Sequence, residues 1–216
     1  MTDKLLNAIG NAYPLTEKDV GNFKSLKASG MKFSIRAFEA AGLGSVSVMT
    51  AVGFFGLMKM DTLIITPTKI DMPLLSYDRV LAMCNDTLIY ELYDTYVEKA
   101  ELAAVAEVKA EHNALPDHDL GEHWYDSIKL TESLSKKGKK MHTVPFDVLT
   151  KNYMDAYLAD CAKAADSEES IKREKASVYV EGLLSHGGPS TDVFKKALGD
   201  EITAELFRKV LFGTQI

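Results

Sequence analysis

Apolar positions follow two different rhythms along this chain. Residues 5–29 read as helical, with a start signal at Leu15-Thr16-Glu17-Lys18-Asp19 and a stop at Gly30. From Lys32 to Val97 the period shortens. Phe33, Ile35 and Ala37 alternate with Lys32, Ser34 and Arg36, and Val46, Val48 and Thr50 alternate in the same way, as half-buried strands do. Thr62-Leu63-Ile64-Ile65-Thr66 is rich in β-branched residues and ends at Pro67. Leu74 to Met83 and Thr87 to Tyr93 flank Asn85-Asp86, which predicts a hairpin with its turn there.

Four or five strands in succession, with no long helix between them, require a mainly antiparallel sheet, since parallel strands need long crossovers. Helical spacing returns after Val97. Glu98 to Asn113 is rich in Ala and Glu. Pro145 opens a segment in which Phe146, Leu149, Tyr153, Tyr157 and Cys161 share one face. Two short helices, Thr191 to Leu198 and Glu201 to Phe212, close the chain around Gly199. A block of strands with helices before and after predicts an α+β fold, a three-layer α/β/α sandwich around a central, mainly antiparallel sheet.

Composition narrows the function. The 216 residues carry 25 Lys+Arg against 31 Asp+Glu, a net charge of −6, and 46% are hydrophobic. That suits a single domain over 1–216 and argues against a general nucleic-acid binder, which needs a dense basic face. The N-terminus lacks the pattern of a secretory signal. Cys84 and Cys161 are far apart, which fits a reducing cytoplasm and predicts two small buried hydrophobes. Between Glu39 and Lys59 no residue is charged, but four glycines, two serines and a threonine read as buried strand and turn, so no membrane is expected.

Three arrangements could carry chemistry. In Pro67 to Asp78 a loop with two prolines delivers the chain into a strand on which Leu74, Ser76, Asp78 and Val80 share a face. An aspartate among apolar neighbours loses solvation, which raises its pKa toward the range of a proton donor. Alternatively, Asp78 pairs with Arg79 or a lysine at the sheet edge. His112, His118 and His123, interleaved with Asp117, Asp119 and Glu122, contain metal-ligand types, or form a solvated loop. Ser135 to Lys140 holds four lysines, which would steer an acidic partner, hold a carboxylate-bearing ligand, or simply stay solvated.

Together these pieces resemble the ferredoxin-dependent bilin reductases, including red chlorophyll catabolite reductase-like proteins. The likeness rests on Leu63-Ile64-Ile65-Thr66-Pro67 followed by Asp71-Met72-Pro73-Leu74-Leu75-Ser76-Tyr77-Asp78, on Trp124 through Lys136, and on the helix pair from Phe194 to Phe212. It implies an α/β/α sandwich binding an open-chain tetrapyrrole between the sheet and the C-terminal helices. The resemblance further implies that no cofactor is bound intrinsically, that the bilin is the substrate, and that electrons arrive singly from external ferredoxin or flavodoxin. Asp78 falls on the family's central aspartate and Lys136 where an arginine often meets a substrate propionate. Asp61 stands where some members carry a catalytic histidine, and Met49 near the position of a glutamate. Gly188 replaces a second aspartate, with His186 two residues away as a substitute. Asp61, Met49, Lys136, His186 and Arg79 are thus the expected substrate contacts and Asp78 the catalytic residue. Loss of the other donors also admits a non-catalytic tetrapyrrole carrier or sensor. A metal-dependent hydrolase built on the three histidines is a third reading.

Overall fold

The computed structural model describes residues 1–99 and 101–215. Eight strands form one sheet, antiparallel throughout: β1 (Leu15–Lys18), β2 (Ser25–Ala28), β3 (Met31–Ala40), β4 (Gly44–Gly53), β5 (Met58–Pro67), β6 (Leu74–Ala82), β7 (Asn85–Tyr93) and β8 (Leu134–Lys139). From β3 to β7 each strand pairs with its sequence neighbour, and β8 adds the far edge. α1 (Thr2–Ala12), α2 (Ala103–Glu111) and α3 (Thr143–Cys161) cover one face. α4 (Glu169–His186), α5 (Pro189–Leu198) and α6 (Asp200–Glu205), with a π-helical continuation over Leu206–Leu211, lie on the other. The expected three-layer α+β sandwich is the fold.

Alternation sorts the two cores. Val46, Val48, Leu63, Ile65, Tyr77 and Tyr90 point toward α1 and α3. Phe33, Ile35, Met49, Ile64, Leu74 and Tyr93 point toward α4 and the C-terminal helices. The uncharged run after Glu39 is β4, covered by helices on both faces, which is why it needs no polar side. Phe146, Leu149, Tyr153, Tyr157 and Cys161 are all buried on α3, as their spacing predicts.

Several expectations are corrected. The helix expected over residues 5–29 stops at Ala12, because Pro14 holds Tyr13 in an extended conformation (φ −135°, ψ 109°), and the rest becomes β1 and β2 against β3. The β6–β7 turn falls at Met83-Cys84, two residues before the expected Asn85-Asp86, which are already paired. The lysine run is not a solvated loop but edge strand β8, with Lys137 and Lys139 exposed, as edge strands commonly carry lysines, and Lys136 buried. α2 starts at Ala103, later than Glu98, and position 100 of that expected helix lies outside the described residues. α4 was not foreseen at all. Of the two cysteines, only Cys161 is buried, and burial pushes its thiol well up; Cys84 is exposed at the hairpin tip. Among the described residues no helix is long and apolar enough to cross a membrane.

Candidate functional site

On the face turned to α4, the registers of five strands align Met49, Thr62, Asp78, Ile89 and Ser135 in one row across the sheet. Next to that row lie Ser76 on β6 and, opposite it on β7, Glu91. A cavity of about 230 Å³ opens over all of these but Ser135. Tyr179 and Leu183 of α4 roof it, Phe207, Leu211 and Phe212 close one side, and the residues from Gly188 to Thr191 another. The π-helical segment is pinned down where Ser47 Oγ donates to the Leu211 carbonyl at 2.6 Å. Local widening of a helix to the π form is frequent beside functional sites.

Asp78 is the half-buried carboxylate on the cavity floor. Thr62 Oγ1 donates to its Oδ1 at 2.5 Å, and Ser76 Oγ lies 3.5 Å from Oδ2. Loss of solvation outweighs both hydroxyls, and with the negative charge of Glu91 it pushes the pKa up to about 6. Glu91 is 8% exposed. Its Oε2 accepts from Tyr93 Oη at 2.7 Å, Lys129 Nζ stands 3.7 Å from Oε1, and Oε1 has no hydrogen-bond partner.

Aromatic rings line the neighbouring wall. Tyr93 stacks on Tyr179 (centroids 4.0 Å apart, 25°) and His123 on Tyr125 (4.8 Å, 11°). Trp124 lies against α4 at Gly182, where a Cβ would fall 2.2 Å from the ring, so only glycine admits the indole. Trp124 Nε1 donates to the carbonyl of Gly187 at 3.1 Å, at the end of α4 where φ is +85°. Flat, mostly apolar walls with a few polar atoms suit a planar conjugated ligand bearing its own polar groups.

The remaining candidates divide between the two faces. Met49 lines the cavity. Asp61 does not: the period of a strand turns it to the opposite face, 3.4 Å from the N-terminal amine, while its neighbour Thr62 faces Asp78. Arg79 likewise points away from Asp78. It is buried in an ion pair with Asp86, one bond being 2.7 Å, beneath the Phe146 ring. Lys136 is also buried on that face, donating to Leu115 O at 2.9 Å and Asp117 Oδ1 at 2.6 Å. His186 is exposed, its ring 5.5 Å from Trp124 and outside the cavity lining. So Asp61, Arg79, Lys136 and His186 are not brought to the cavity. Nor are the three histidines brought together. His123 joins the cavity, His112 Nδ1 is 3.0 Å from the Val108 carbonyl, and among the described residues no three metal-ligating side chains gather.

A solved structure of phytochromobilin synthase from tomato, in complex with biliverdin, matches 99% of this chain and 82% of its own with a TM-score of 0.78, at 14% identity. The chain has the fold of a bilin reductase. No family sequence pattern and no curated protein matches it. At such low identity the likeness concerns the fold, and the residues of the cavity must speak for the chemistry.

Glu91, Thr62 and His123 are among the cavity residues that sequence reasoning did not place. A turn at Asn85-Asp86 would set Glu91 opposite Val80, whereas the observed turn at Met83-Cys84 sets it opposite Ser76. The alternation along β7 already gave its face; only the register was missing.

Proposed function

We propose that the chain binds an open-chain tetrapyrrole between the sheet and α4–α6 and reduces it, with electrons from external ferredoxin or flavodoxin and protons from Asp78. The observation that carries this is Asp78 itself: a carboxylic acid with a pKa of about 6, aimed into an apolar, aromatic-walled cavity, with Thr62 fixing its orientation. Near neutral pH such a group retains a usable fraction of its proton and lies close to the working pH, where general acids are most effective. Its proton raises the electron affinity of a conjugated ligand whose nitrogen or carbonyl oxygen it meets. The likeness to a bilin-reducing enzyme supports the ligand class.

A second reading is a carrier or sensor that holds the pigment without reducing it. Thr62, beside Asp78 in its row, and Met49, one strand further on, favour it, since a threonine hydroxyl is too weak an acid and a thioether has no proton to give. An anaerobic absorbance titration with biliverdin separates the two. A shifted pigment band that decays on addition of reduced ferredoxin is expected for the reductase. A shifted band that persists identifies the carrier, and no spectral change removes biliverdin as ligand.

A further inference from the structure

A second, polar chamber of about 240 Å³ lies behind the cavity wall, lined by His118, Asp119, Lys129, Ser133 and Ser135. It reaches the surface at Asp119 and Gly121, both exposed. Glu91 and Leu120 line both spaces and so form the partition between them. Three buried polar atoms without a hydrogen-bond partner belong to residues lining the two spaces: Glu91 Oε1 between them, Ser135 Oγ on the chamber and His123 Nδ1 on the cavity. An unpaired buried polar atom costs free energy, so such atoms mark places where water completes the hydrogen bonding. At about 30 Å³ per water, the chamber has room for several.

On the cavity side, Glu91 sits opposite Ser76 in the β6–β7 ladder. Cross-strand pairs bring Cβ atoms to roughly 5 Å. Ser76 Oγ is in turn 3.5 Å from Asp78 Oδ2. Ser76 and Glu91 share no direct hydrogen bond, so the link between them needs one bridging water; a hydroxyl both donates and accepts, so Ser76 can then take a proton from that side and hand another to Asp78. The charged and titratable groups facing Glu91 are Tyr93 on its own strand, Asp78 across the sheet, Lys129, His118 and Asp119 around the chamber, His123 and Tyr125 on the cavity wall, and Tyr179 of α4 above.

We infer that this chamber feeds protons to the cavity, Glu91 and Ser76 relaying them to Asp78. The inference rests on the reading of the cavity as a bilin-reducing site. Each turnover converts one C=C of the pigment to CH–CH, using two electrons delivered singly by reduced ferredoxin or flavodoxin and two protons. Asp78 gives a proton to the pigment and becomes a carboxylate. It regains one through Ser76 from Glu91, which takes its replacement from water in the chamber, and the second transfer follows. Asp78 is the catalytic residue; Glu91 and Ser76 are positioning residues.

The test compares the parent chain with Glu91→Gln, Ser76→Ala, and Ser135→Leu, which narrows the chamber from β8 at a residue outside the cavity lining. Expected in all three are turnover with reduced ferredoxin at least about 10-fold lower and a larger solvent deuterium isotope effect, and in Ser135→Leu, outside the cavity lining, a biliverdin affinity within about 2-fold of the parent. Glu91→Asp should restore part of the rate. Parental turnover in Ser135→Leu and Glu91→Gln overturns the relay and leaves the reductase reading standing. So does loss of biliverdin binding in Glu91→Gln with parental turnover in Ser135→Leu, which would make Glu91 a pigment contact. Should Glu91→Gln not fold, Ser135→Leu alone decides. A parent chain that binds biliverdin but never reduces it sinks both readings.

Discussion

At Asp78 the fold works against a charge. Burial favours the neutral acid, so the folded chain holds this proton more tightly than the unfolded chain does, with a pKa of about 6 against an ordinary 3.8. Stability therefore falls as pH rises from about 4 through about 6, and the full cost remains above that. Asp78→Asn removes the cost. It should be more stable than the parent at pH 8 by on the order of 1–3 kcal/mol, with the gap closing below pH 4, as urea unfolding at several pH values would read. The same substitution should retain biliverdin binding while turnover drops about 100-fold or more. In the parent, turnover should decline as pH rises through about 6. This residue was legible from the sequence, because alternation from Leu74 gives its face and apolar neighbours give its pKa direction. Asp61 was not. One residue along a strand reverses the face, and a motif aligned one position off selects the wrong side of the sheet.

Among the elements, α4 decides the shape of the roof. Its inward residues Lys172, Ala176, Tyr179, Val180 and Leu183 keep helical spacing, but a lysine opens the stripe and charged residues surround it, so no amphipathic pattern stands out. Lys172 is fully buried and ends in three acceptors: Asp71 Oδ1 at 3.2 Å, Met72 O at 2.8 Å and Thr95 O at 2.6 Å. Asp71 also accepts from the amides of Val97 at 2.9 Å and Glu98 at 2.6 Å, so one ion pair ties α4, the Pro73 loop and the end of β7 together. Lys172→Met would leave Asp71 buried beside carbonyls with no cation. We expect a loss of roughly 3–5 kcal/mol in denaturant unfolding. Gly182→Ala should also destabilise, although alanine ordinarily favours a helix, because the new methyl would occupy the place of the Trp124 ring. Weaker biliverdin binding in that variant would show that the roof sets the cavity. β1, β2 and β8 escaped the sequence for a related reason: short edge strands bury few side chains, so their alternation is faint.

For the molecule as a whole, the registers bring the β2–β3, β4–β5 and β6–β7 turns and the end of β8 to one edge of the sheet. Ser29, Phe54, Phe55 and Met83, which hold left-handed backbone without being glycine, all lie at that edge. Phe54, Phe55 and Met83 are exposed there, as are Lys27, Lys32, Lys59, Lys137, Lys139 and Lys140. In a chain of net charge −6, this is a local excess of positive charge. An acidic electron donor would be steered toward it. Lys139→Glu with Lys140→Glu should slow reduction by reduced ferredoxin about 10-fold at low salt, with the difference shrinking as salt rises. An unchanged rate in stopped-flow measurements at low salt would place the docking face elsewhere. The order of strands and the two helical layers were readable from periodicity, whereas this edge, which turns join in space rather than in sequence, was not.

The placement of Trp124 has one more use. It is the single tryptophan of the chain, and its indole lies against α4 beside the cavity, next to His123 and Tyr125. An open-chain tetrapyrrole absorbs in the near ultraviolet, where indole emits. A pigment seated under α4 would therefore accept the excitation of Trp124 and darken its fluorescence. A protein that binds such a pigment there would carry its own optical gauge of occupancy, readable at concentrations too low for absorbance and without any label.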